Sequence, residues 1–204
     1  MKCVIGGLQG GWSDVVGIKT KNITVKIDSS ILSQERDKET FKEKLSEWCG
    51  TSEFELLYRG TRNGFGASDF HRTCDNKGKT LTLVKNNSGH IFGGFASIPW
   101  MNSGGYKQAP GSFIFTFTNM HGIQPTKFPL KGDNEKAIEY NSSYGPVFGN
   151  DDFYASSNCN SNNSYAHFPR SFNNTTGKGN SIFSSSTSDN HFQVQEIEVF
   201  RVNA

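Results

Sequence analysis

Apolar residues recur along this chain with two periods, and each period marks a different kind of element. In "SFIFTFTN" Phe113, Phe115 and Phe117 fall on every second position. Side chains alternate between the two faces of a strand, so the three rings share one face. Three consecutive rings on one face read as core, not as a ligand platform. "KTLTLVKNNSGHIFGGFASIPW" reads as a hairpin, with Asn-Asn-Ser-Gly between two β-rich runs. In its second run Ile91 and Phe95 point one way and Phe92 and Ile98 the other, which predicts a strand covered on both faces. Gly93 and Gly94 in the middle imply a close backbone or ring contact. "FELLYRG" (54–60) is a further strand, and another is expected at about 23–27. The closing run "HFQVQEIEVFRV" breaks its alternation: Phe192 and Val194 share one parity, Ile197 and Val199 take the other, and Phe200 and Val202 return to the first. A bulge near Gln195–Glu196, or burial on both faces, accounts for the break.

A helical period appears only in the first half. In "SSILSQERDKETFKEKLSEWCG", Ser33 is read as the N-cap and Glu35 as an acid placed to suit the helix dipole. Phe41, Leu45 and Trp48 form a stripe spaced i, i+4, i+7, and Gly50 supplies the left-handed C-terminal stop. "ASDFHRTCDNKG" predicts a short helix capped by Ser68 and stopped at Gly78. Turn-rich stretches fill much of the remainder, above all Ser156 to Ser188. Together these elements predict a mainly β fold, a β-sandwich of two antiparallel sheets with a few flanking α-helices.

Composition narrows the classes. A chain of 204 residues without a long polar interruption suits one domain. It buries roughly 70% of its unfolded surface and needs no disulfide staples. A net charge of +2 gives no electrostatic case for nucleic acid. No apolar run reaches the ~18 residues of a membrane span, and the apolar stretch at the N-terminus is too short for a signal peptide. A cytoplasmic protein without membrane insertion is expected. Its four cysteines, Cys3, Cys49, Cys74 and Cys159, form no C-x-x-C pair and read as free thiols.

Each candidate chemistry has a plainer reading beside it. "GGLQGGWS" has the glycine frame of a phosphate loop, but Trp12 stands where a lysine is required, so it is read as a turn. In "GPVFGNDDFY", Asp151 and Asp152 lack the alternate acids and central glycine of a calcium loop. A hairpin fits better: a strand ending at Phe148, a turn at Gly149-Asn150-Asp151, and a return through Phe153-Tyr154-Ala155. His71 and Cys74 are spaced i, i+3, so the imidazole could lower the thiol pKa, but no third group to orient the histidine is evident. The commoner case is a cysteine packed inward from a short helix. Five scattered histidines show no zinc spacing. Glu196 and Glu198 share a face about 7 Å apart, read as an exposed polar face of the sandwich. No catalytic, cofactor-binding or metal-binding residue is assigned.

A family resemblance then emerges from ordered motifs. "ELLYRGTRNGFGASDFHRTCDNKGKTLTLVKNNSGHIFGGFASIPW" resembles the opening block of a TLDc domain. The likeness lies in Leu-Tyr-Arg-Gly-Thr-Arg-Asn-Gly-Phe, Phe70-His71 with Cys74-Asp75 and Gly78, Thr80-Leu81-Thr82, and Phe92-Gly93-Gly94-Phe95 through Pro99-Trp100. It continues in "SFIFTFTN", "SSYGPVFG", "DFY", "SNCNSNNSY" and "FQVQEIEVFRV". Residues 1–28 are set aside as an N-terminal extension with no assigned role, and 29–204 as a TLDc-like domain. The resemblance implies a two-sheet sandwich with edge helices, a structural role for Asp152 and an exposed turn position for Asp151. It also implies protection against oxidative stress in eukaryotic cells through binding of the vacuolar-type proton-pumping ATPase and influence on its assembly. The family brings no established catalytic residues. The expected protein is a non-enzymatic monomer without cofactors, cytoplasmic or held at vacuolar or endosomal membranes through its protein partner. The competing readings are a thiol-dependent antioxidant enzyme using Cys74 or the more accessible Cys159, and a sugar- or calcium-binding sandwich, against which the absence of a secretion signal speaks. The stretch from Ser156 to Ser188 is the guessed site of contact with the pump.

Overall fold

The computed structural model describes residues 24–132 and 135–203. Strands are numbered along the chain. A seven-stranded sheet runs in the order β1 (Lys26–Ile27), β2 (Glu53–Arg59), β13 (Val194–Val202), β3 (Thr80–Asn86), β4 (Ile91–Ala96), β6 (Phe113–Thr118) and β7 (Thr126–Pro129). A six-stranded sheet runs β12 (His191–Phe192), β11 (Ser164–Tyr165), β10 (Phe153–Ser156), β9 (Tyr144–Phe148), β8 (Ile138–Tyr140) and β5 (Gly105–Lys107). This is the expected mainly β sandwich. Strand pairing is antiparallel throughout the described residues except at one edge, where β1 lies parallel to β2.

Two apolar clusters hold three layers together. Between the sheets lie Tyr58, Phe92, Trp100, Phe148, Phe153 and Phe183 with their neighbours. On the outer face of the seven-stranded sheet, Phe113, Phe115 and Phe117 pack under the helix α2 (Lys38–Cys49). The helical stripe meets the strand stripe ring to ring. Phe41 stacks on Phe117 at 4.5 Å between centroids, and Trp48 lies 5.6 Å from Phe115. Gly50 has φ of 71° and ends the helix as expected.

The glycine pair of β4 does what its position implies. A Cβ on Gly94 would lie 2.7 Å from the Phe148 ring of the facing sheet, and one on Gly93 would collide with the Thr82 carbonyl and the Phe115 ring. Ile91 and Phe95 join the helix-side cluster while Phe92 and Ile98 join the other, so β4 is covered on both faces. In β13 the register against β3 slips between Val194 and Glu196, which is the bulge. It puts Val194, Ile197 and Val199 on the inter-sheet face despite their mixed parity.

The helix boundaries differ from the sequence reading. Ser33 does not cap a long helix; it ends a separate turn, α1 (Ser30–Ser33), which is capped by Ser29. α2 starts only at Lys38, and Glu35 lies in the connection, paired with Lys85 at 2.8 Å. The break lets Ile31 and Leu32 reach the helix-side cluster, which an unbroken helix starting at Ser33 would leave out. Ser68 likewise lies inside α4 (Ala67–Cys74), whose N-cap is Gly66; the Gly66 N–H donates to Asp69 Oδ2 at 3.2 Å. α4 stops at Cys74, well before Gly78, because Asp75 turns extended to bridge Trp100. The expected strand near 23–27 is confined to Lys26–Ile27, and Ile23 lies outside the described residues, as do Cys3 and the glycine-rich "GGLQGGWS".

Phe115 is fully buried and touches both the helix and its own stripe. Phe115→Ala is expected to cost about 3–5 kcal/mol, measured by urea denaturation. An unchanged midpoint would contradict the packing described here.

Candidate functional site

The two glutamates of β13 are the most chemically loaded groups in the fold, and they are not exposed. Glu198 has no accessible surface and Glu196 is 9% exposed, so the expected polar solvent face is corrected. The alternation was right, since both point away from the inter-sheet core. What covers them comes from far away in sequence. α1 lies over Glu198, and α3 (Gly60–Asn63) begins over Glu196.

Every oxygen of the pair is engaged. Glu198 Oε2 accepts from Ser29 Oγ at 2.5 Å; Oε1 accepts from the Ser30 N–H and hydroxyl at 2.9 Å each and from Arg59 Nε at 2.7 Å. Glu196 accepts from the Thr61 hydroxyl at 2.6 Å, the Thr61 N–H at 3.2 Å and its neighbour Ile197 N–H at 3.0 Å. Burial works against the charge of Arg59, but Glu198, Asp28 and Glu196 outweigh it and hold the guanidinium above its ordinary range. Carboxylates bonded on both oxygens in this way anchor the chain. Sequence reading missed Arg59, Ser29 and Thr61, whose partners lie 135 or more residues away.

The thiols are equally withdrawn. Cys74 and Cys159 are buried in the inter-sheet core and Cys49 is half-buried. The expectation that Cys159 is accessible is therefore corrected: its Asn/Ser-rich loop folds the side chain inward, and its carbonyl accepts from the Val194 N–H. Burial pushes all three thiols up to about 12. His71 is oriented after all, by Asp75 Oδ1 at 2.8 Å, a partner one helical turn on. Its other ring nitrogen faces the carbonyls of Asn141 and Tyr144 at 3.0 and 3.1 Å. Both nitrogens are thus committed away from Cys74, whose Sγ lies 3.5 Å from Thr73 Oγ1.

The Asn150-Asp151-Asp152 run is a hairpin turn between β9 and β10, as expected. Asp151 adopts φ of 63° and pairs with Arg170 at 3.4 Å, so it is half-buried, not the exposed residue expected. Asp152 is fully buried. It accepts the backbone N–H groups of Arg170 and Ser171 at 2.7 Å each and of Phe172 at 3.4 Å. Burial raises its pKa against the pull of those bonds. A side chain on Gly149 would occupy the Asp152 carboxylate, so turn and cap are one device. Among the described residues no three His, Cys, Asp or Glu side chains lie together as a metal site.

These features define a sandwich whose ionisable groups serve the fold. Residues 26–203 match the family model of the TLDc domain, and the chain belongs to the TLDc family. None of the curated proteins matches it.

Arg59→Ala is expected to cost about 3–5 kcal/mol, because it strands a buried carboxylate. A loss below ~1 kcal/mol on urea denaturation would show that Glu198 is solvated. A second expectation concerns alkali. Folded thiols at about 12 keep their protons while unfolded thiols, near 9.0, lose them. Below the unfolded value both states are protonated and stability is unaffected. Between the two values stability falls by up to about 1.4 kcal/mol per pH unit for each thiol. Melting temperature followed upward from pH 8 should show this decline, and Cys74→Ala with Cys159→Ala should flatten it.

Proposed function

We propose that this chain is a non-enzymatic TLDc protein that binds the peripheral part of the vacuolar-type proton-pumping ATPase, regulates its assembly and so contributes to oxidative-stress protection. Membership of the TLDc family over residues 26–203 carries this reading. It is supported by the state of the reactive groups: the β13 carboxylates are saturated within the fold and the described thiols are protonated at neutral pH. No observation favours the thiol-enzyme alternative, since a buried protonated thiol is a poor nucleophile. The protein would act in the cytoplasm or at vacuolar or endosomal membranes through its partner. No helix among the described residues is long and apolar enough to cross a membrane. Contact through the 156–188 stretch is weakened as a proposal, because Phe168, Phe172, Ile182 and Phe183 within it are core residues.

Purified protein added to vacuolar membranes carrying assembled pump should co-sediment with them and change proton pumping or release of the peripheral sector at micromolar concentration. The same should hold for Cys74→Ser with Cys159→Ser, provided that variant folds. Failure of the wild type in all three readouts would sink the pump reading. Failure of the folded double variant alone would reopen the thiol enzyme.

A further inference from the structure

The sandwich has two outer faces, and they are built differently. The outer face of the seven-stranded sheet is apolar and lies under α2. Across the outer face of the six-stranded sheet runs one row of registered residues: Tyr106 opposite Glu139, Glu139 opposite Val147, Val147 opposite Tyr154, Tyr154 opposite Tyr165, Tyr165 opposite His191. The row crosses all six strands. A register shift between β9 and β10 adds Tyr144 to the same face, where its ring lies 4.9 Å from Tyr154. Four of the six tyrosines in the chain are therefore here. The other two, Tyr58 and Tyr140, are buried and bond the Gly64 and Pro99 carbonyls through their hydroxyls.

We propose that this tyrosine row is a docking surface for a segment of another protein that presents arginine or lysine side chains. Three observations set the occupant. The first is shape. Five strand spacings of ~4.8 Å give a strip about 24 Å long and roughly 300 Å² in area. A second globular copy would need about 800 Å² on each side, whereas a single extended or helical segment fits the strip.

The second is charge. Asp151 on this face is paired with Arg170, and Lys136 sits 4.7 Å over the Tyr106 ring. Glu139 has only the Asn141 side-chain amide, at 3.3 Å, and no Lys or Arg bonded to it among the described residues. Burial, with the charge of Asp151, pushes its carboxyl above the ordinary range. The four tyrosine hydroxyls of this face bond to no described residue; each can accept as well as donate, so with Glu139 they offer acceptors along the row. Arg and Lys are the cationic side chains that carry donors without acceptors, which suits the Glu139 carboxylate with no Lys or Arg bonded to it among the described residues.

The third is ring orientation. Tyr154 stacks on Tyr165 with 28° between planes, and Tyr165 lies parallel to His167 at 6.2 Å. Tyr165 thus lies near-parallel to two ring neighbours instead of standing alone as a flat ring. A sugar platform needs a free ring face, and at Tyr165 those faces have ring neighbours. Rigid tyrosines with few torsions also lose little entropy on binding. The inference does not depend on the pump reading.

The test is an NMR titration of ¹⁵N-labelled protein with a synthetic peptide of about eight alternating arginine and threonine residues. Saturable shifts are expected at the amides of Glu139, Tyr144, Tyr154, Tyr165 and His191. Affinity should fall at least about tenfold in Tyr154→Ala and about fivefold in Glu139→Gln, and be unchanged in Lys44→Ala on α2. If Tyr154→Ala does not fold, Glu139→Gln and Tyr165→Ser carry the comparison. The proposal is overturned by shifts elsewhere, by an equal response to a control peptide of alternating glutamate and threonine, or by wild-type affinity in the folded row variants. It is also overturned by saturable binding of cellohexaose in place of the peptide, or by a dimer of the protein alone that the row variants dissolve.

Discussion

Strand β13 is paired on both edges and covered on both faces over Glu196–Phe200, so its two glutamates must find their partners inside the chain. That constraint organises the molecule. The strand sits between β2 and β3 and brings the C-terminal residues to the centre of the larger sheet. Glu198 draws Arg59 from the end of β2 and Ser29 and Ser30 from α1. Glu196 holds the start of α3 through Thr61. The ion pair is therefore less a source of net stability than a device for fixing which segments meet. Desolvation offsets much of the gain from burying two charges, but leaving either one unpaired is strongly unfavourable. A register in which β13 slipped by one residue would turn Glu196 and Glu198 into the inter-sheet core, and the bulge at Gln195 is what keeps them out of it.

The parts of this fold legible in the sequence are those governed by neighbours along the chain. The ring stripe of Phe113, Phe115 and Phe117, the hairpin around Asn87 and Ser88, the parity break in the last strand and the need for Gly93 and Gly94 all follow from local period and size. What was not legible depends on residues distant in sequence. Alternation told which way Glu196 and Glu198 point, but not that α1 and α3 lie over them. Ser33 and Ser68 are adequate N-caps by type. The helix start was decided instead by Ser29, whose hydroxyl serves both Leu32 and a carboxylate 169 positions later. Cys159 sits among Asn and Ser, which reads as exposed loop. The turn at Asn158, with φ of 57°, carries it into the core. Asp75 was within reach of sequence reasoning, since His71 and Asp75 are spaced i, i+4 in a helical pattern.

The reactive groups show a consistent division of labour. Asp152 ties the 170–172 backbone to the turn, His71 ties α4 to the Asn141–Tyr144 turn, and the two core cysteines pack as small apolar side chains. In each case the geometry that makes the group a good strut makes it a poor catalyst. Both oxygens of each β13 carboxylate are already bonded within the fold, so protonating either group would weaken the fold's own bonds. Burial pushes both core thiols up to about 12, which favours the protonated form at neutral pH.

A domain that spends its ionisable side chains on internal bonds has its surface left for function, and the surface is not uniform. The larger sheet packs its aromatic face under α2, ring against ring. The smaller sheet has no helix against its outer face among the described residues, yet it is not paved with the lysines and glutamates that keep an exposed sheet solvated. It carries aromatic rings supported by one another, with Val147 fully buried beneath them. Stacked rings present polar edges to water at small desolvation cost, so such a face can stay soluble alone and still gain from burial. Four of the chain's six tyrosines stand half-buried on this face and two are used inside. The row is better understood through the partner it can meet than through the fold it adorns.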